Sequence, residues 1–140
     1  MLRLLVMPAF LLTLALQGGP AEKERKLLQG KWTVVSIVSK AGKEEPQGRM
    51  TAQIAGDKLI SKENDKVTGE ATFTLDASKI PKFIDLKPSS GGDKGKSFLG
   101  IYELNGNDLK LCFGPVNGLR PMEFAANAGQ SLILLKRIKE

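Results

Sequence analysis

Turn residues recur along this chain at short, even intervals, and apolar alternation fills the gaps between them. Gly56-Asp57, the stretches 77–81 and 88–95, and Asn105-Gly106-Asn107 punctuate segments such as ATFTL (71–75), where every second side chain is apolar. A period of two marks a strand with one buried face. Short strands at regular spacing predict an all-β sandwich or barrel.

Eight strands are predicted, over 31–39, 49–55, 58–62, 67–76, 82–87, 96–104, 108–113 and 131–138, with 40–48 as a polar connection. Most neighbours are hairpin-linked and therefore antiparallel. The one helical candidate is EKERKLL (22–28), with Glu22 and Lys26 spaced for an i,i+4 pair and Gly30 ending it. There is no internal repeat. Eight antiparallel strands in sequential order can close into an up-and-down barrel, which removes exposed edges.

Residues 1–19 read as a signal peptide. Arg3 gives a positive start, and 4–16 is apolar apart from Thr13. A run of about a dozen apolar residues suits a signal core and is short for a membrane span. Small residues at Gly18, Gly19 and Ala21 place cleavage nearby; an uncleaved N-terminal anchor is the alternative. The remainder, 20–140, is the size of one domain with one core. This domain is expected outside the cytoplasm, secreted or periplasmic, with no stable membrane span after cleavage. Cys112 is the single cysteine, so no intramolecular disulfide can form and stability must come from packing.

The chain's one tryptophan stands in LLQGKWTVVS (27–36), at the start of the first strand, and an arginine, Arg137, stands near the end of the last. This pair resembles the signature of lipocalin-type barrels. The resemblance implies that Trp32 plugs one end and Arg137 packs across its ring, a cation–π contact joining first strand to last. Gly30, Trp32 and Arg137 are therefore the expected closure residues, with helix 22–28 covering the same end.

Longer motifs carry a second resemblance: LQGKWTVVS (28–36), TFTLDASKIPKFIDL (72–86), GDKGKSFLGIYELNGNDLKLCF (92–113), RPMEF (120–124) and LLKR (134–137). In this order and spacing they resemble an uncharacterised secreted domain family abundant in planctomycete bacteria. That family carries no established activity, so the resemblance implies the barrel and the compartment and transfers no catalytic residue. It implies a binding or sensing module.

The residues offer little to chemistry. Histidine is absent, which removes the commonest general base and metal ligand. SGGDKGKS (90–97) has the look of a phosphate-binding loop, but Ser90 stands where the first glycine is needed and a strand, not a helix, follows. Asp and Glu fall mostly at turns or on solvent faces; Asp85 is out of phase with Ile84 and Leu86 and points outward if they point in. No catalytic residue, metal site or cofactor is assigned. The net charge of +6 is spread along the chain, with few aromatics to stack on bases, so no nucleic-acid partner is expected.

Function then turns on the barrel interior. An eight-stranded barrel is just wide enough to be filled by side chains or to hold one small ligand. Phe73, Phe98, Tyr102 and Phe113 fall on the inward phase. The connection 114–130 is long for a structureless loop; its Arg120, Met122 and Phe124 could cover a barrel mouth, Arg120 meeting an anionic group. Alternatively they fold back as a satellite cluster, with Arg120 on a surface carboxylate. Val35, Ile37, Leu99 and Ile101 leave the opposite faces partly apolar, so something covers part of the outside. Two readings stand: a carrier or sensor binding a small apolar molecule through Phe73, Phe98, Tyr102, Phe113, Arg120 and Phe124, or a protein-interaction module of the envelope with a packed interior. An enzyme would need two carboxylates converging in a cleft.

Overall fold

Pro20 fixes a helical φ at the first turn of α1 (Pro20–Leu28), whose only buried side chain is Leu28. The computed structural model describes residues 19–139; the predicted signal segment, up to residue 18, lies outside them. Nine strands follow: β1 (Gly30–Ser39), β2 (Gly42–Glu44), β3 (Met50–Ala55), β4 (Lys58–Glu63), β5 (Lys66–Asp76), β6 (Lys82–Pro88), β7 (Phe98–Asn105), β8 (Asp108–Phe113) and β9 (Ser131–Arg137).

Eight of them, β1 and β3 to β9, form a closed antiparallel meander, because β9 pairs back onto β1. The fold is the all-β barrel with one short N-terminal helix that the turn spacing predicts. Among the described residues, no helix is long and apolar enough to cross a membrane.

Two departures arise within β1. Its first half pairs with β3 and its second half with β2, a three-residue flap of exposed Gly42, Lys43 and Glu44 inside the stretch read as a plain connection. On the β9 side the register slips between Val34 and Ser36. This bulge switches the pleat. Trp32 and Val34 face the core before it, and Ile37 packs against the same core after it. Simple alternation had put Ile37 outside with Val35; only Val35 is exposed there. One extra residue reverses every later side chain on the strand.

The interior is filled in its middle and at the helix end. Trp32, Phe73, Ile84, Tyr102, Leu109 and Leu111 are all at most 3% exposed. A smaller cluster lies outside the barrel. Ile101 and Cys112, paired across β7 and β8, are fully buried although they alternate with inward neighbours. The connection 114–130 covers them: the Cys112 thiol donates to the Ala125 carbonyl at 3.3 Å, and burial pushes its pKa up. Of the apolar outer positions, Ile101 is fully buried under this cover, Ile37 turns to the core and Val35 stays 46% exposed.

Candidate functional site: a closed and an open end

Strand direction gives the barrel two unlike ends. At the closed end, Trp32 Nε1 donates to the Leu28 carbonyl at 3.0 Å, which pins the helix terminus to the first strand. Arg137, directly opposite Trp32 in the β1–β9 pairing, lies 4.3 Å above its ring. Its guanidinium donates to the Leu27 and Gln29 carbonyls at 2.7 and 2.8 Å. It thus satisfies backbone groups that the helix C-terminus leaves free. Gly30 has φ +129°, and a Cβ there would sit 3.1 Å from the Arg137 guanidinium. Gln29 adds a second clasp, its side-chain amide bonding both the N–H and the carbonyl of Gly56.

The N-terminal half of α1 is held by Glu24. Its Oε1 accepts from Lys82 Nζ and from the Tyr102 hydroxyl, both at 2.8 Å. Burial opposes ionisation of this carboxyl, but the bonds from Lys82 and Tyr102 and the lysine charge outweigh it and hold its pKa below the usual range. Tyr102 moves the other way: desolvation, then the bond and charge of Glu24, raise the phenol well above its ordinary value. This trio escapes sequence reasoning, since its members are 58 and 78 residues apart. No local motif joins them.

Among the described residues, the opposite end has no such plug. A groove of about 460 Å³ opens there, walled by Leu86, Phe98, Phe113 and Ile133, with Pro115 and Val116 at its rim. Leu86, Phe98 and Ile133 are only partly buried. A neighbouring hollow of about 320 Å³ under the 89–97 loop shares Leu86, Pro88 and Asp93 with it and extends to Leu59. Gly100 is needed for this shape: a Cβ there would meet the Phe113 ring at 2.5 Å. Asp93 is the nearest charged side chain in the wall, paired with Lys96 at 3.5 Å. Among the described residues, no group of three His, Cys, Asp or Glu side chains is arranged to hold a metal ion.

Of the six residues expected to meet a ligand, Phe98 and Phe113 come together in this groove. Phe73 and Tyr102 belong to the filled middle, at 2% and 1% exposure. Arg120 and Phe124 stand on the outer wall, away from the groove. Arg120 makes a two-pronged bond to Asp85, donates to the Gly100 carbonyl at 2.7 Å and lies 3.7 Å above the Phe83 ring. Phe124 lies under Lys110 Nζ at 5.8 Å. The physical reason is Asp85. Out of phase with buried Ile84, it points outward and offers Arg120 a carboxylate. The connection therefore follows the wall instead of crossing the mouth.

No protein-family model matches the chain, and no curated protein matches it.

Proposed function

We propose that this chain is a non-catalytic, extracytoplasmic barrel that holds a small apolar molecule in the cup at its open end. One observation carries this reading: apolar side chains that continue the core, Leu86, Phe98 and Ile133, are left partly uncovered around a hollow of about 460 Å³. Such a volume falls within the range of small-molecule pockets, and an apolar wall with few polar groups suits an apolar ligand. The signal-like segment supports the compartment, and the motif resemblance to a secreted planctomycete domain family points the same way. Native mass spectrometry of the protein purified gently from its host tests the reading. A reproducible added mass on the monomer is expected, lost when Phe98→Asp places a carboxylate in the wall. A bare monomer from every preparation would sink it.

A second reading, an interaction module of the cell envelope, draws on different residues. Leu119 and Met122 are 86% and 89% exposed on the connection that covers β7 and β8. Under this reading the same spectra contain a mixed complex in place of a liganded monomer, and Met122→Lys disperses it.

A further inference from the structure

The closed end has an outer surface as well as a plug. On α1, Lys23, Lys26 and Leu27 are exposed and share one helical face by their spacing. Beside them the 77–81 turn presents Lys79 and a fully exposed Ile80. A hollow of about 350 Å³, lined by Gly19, Pro20, Lys23, Ala77 and Lys82, joins helix to turn; a second of about 390 Å³, lined by Ile80, Glu103 and Leu104, adjoins it through Ala77 and Lys82. The helix's own carboxylates are already engaged, Glu22 with Arg25 and Glu24 with Lys82, and Asp76 accepts from Ser78. Glu103, in the wall of the second hollow, pairs with Lys110 at 3.8 Å, and Lys79 Nζ lies 5.9 Å from the Phe83 ring; helix and turn together expose three lysines and two aliphatic side chains.

We infer that this closed end docks on an anionic lipid surface, with Lys23, Lys26 and Lys79 at the headgroups and Ile80 and Leu27 dipping below them. Charge complementarity is one argument: juxtamembrane lysines are each attracted to anionic leaflets. The mixture of charges with exposed aliphatics is the second, because a soluble polyanion has no use for a fully exposed isoleucine, whereas an interface takes both. Chain order is the third. Where the apolar stretch 4–16 stays uncleaved, the alternative to the signal reading, it precedes Gly19 at this end and adds one weak apolar anchor. A basic patch is the usual second contribution. Docked this way, the barrel turns its open cup away from the lipid.

Co-sedimentation of the full chain with phosphatidylcholine vesicles, with and without phosphatidylglycerol, tests this. The wild type is expected to partition strongly only onto the anionic vesicles. A Lys23→Gln, Lys26→Gln, Lys79→Gln variant should lose about a hundredfold, from about a fivefold loss per lysine. Ile80→Ser should lose about tenfold on its own. All four side chains are exposed, so the near-ultraviolet signal of Trp32 serves as the check that the variants fold. Equal partition onto neutral vesicles would assign binding to the apolar segment alone and overturn the proposal. So would a loss under tenfold in the triple variant. Unchanged partition of Ile80→Ser would make the surface a general polyanion binder, which also overturns it. Failure of this test leaves the open-end groove untouched, since no residue is shared between the two.

Discussion

Trp32 is held by three different interactions at once: burial of its ring, a hydrogen bond from its indole N–H to Leu28, and the Arg137 guanidinium over its face. Truncation removes all three. Trp32→Ala is expected to cost about 3–5 kcal/mol in urea unfolding, the range for deleting a large core aromatic; a loss below about 1 kcal/mol would mean the ring does not hold the closed end. The Glu24–Tyr102 bond makes a separate prediction in pH. Glu24 has its pKa lowered in the fold, so the stability it contributes is present above the ordinary carboxylate range and is lost as pH falls through the lowered value. Glu24→Gln should therefore flatten the acid side of the stability profile below the ordinary glutamate range. Tyr102 is the chain's single tyrosine, so phenolate absorbance reports it without interference. Its titration is expected to be missing near pH 10 in the folded protein and to return there in denaturant. A normal native titration would show that the hydroxyl is not buried against Glu24.

At the scale of elements, the Arg120–Asp85 pair is the charged tie among those that hold the connection 114–130 against the wall. Arg120→Ala is expected to destabilise by about 1–2 kcal/mol as a two-pronged, charge-assisted contact. A double-mutant cycle with Asp85→Asn should return most of that as coupling energy. Additive losses would mean that Arg120 acts through Phe83 and the Gly100 carbonyl instead. The eight barrel strands were legible because turn residues sit between alternating segments, and alternation follows directly from the pleat. β2 was not, since Gly42-Lys43-Glu44 has no apolar residue and forms only because the second half of β1 leaves an edge free. The slip after Val34 was not either: a bulge leaves no trace in composition. For the site, Phe98 and Phe113 were legible from phase. The path of Arg120 and Phe124 depended on which of two anionic surroundings the connection would find, a choice set by a strand 35 residues away in sequence.

The whole molecule is a cylinder with a fixed floor and an open top. Helix, tryptophan, arginine and the Glu24 trio all converge on the floor, whereas the top is edged by loops and partly uncovered apolar walls. This polarity gives the two ends unlike structures along one axis, and it lets changes at either end be tested without disturbing the other. The pairing of Trp32 with Arg137 also has a consequence in time. A ribosome delivers the chain from its N-terminus, so the first strand waits for the last before the cylinder can shut. Until Ser131–Arg137 emerges, β1 and β8 both keep an unpaired flank. Contacts this distant in sequence form late. Barrel closure therefore cannot precede that strand, and the chain stays an open sheet until it emerges.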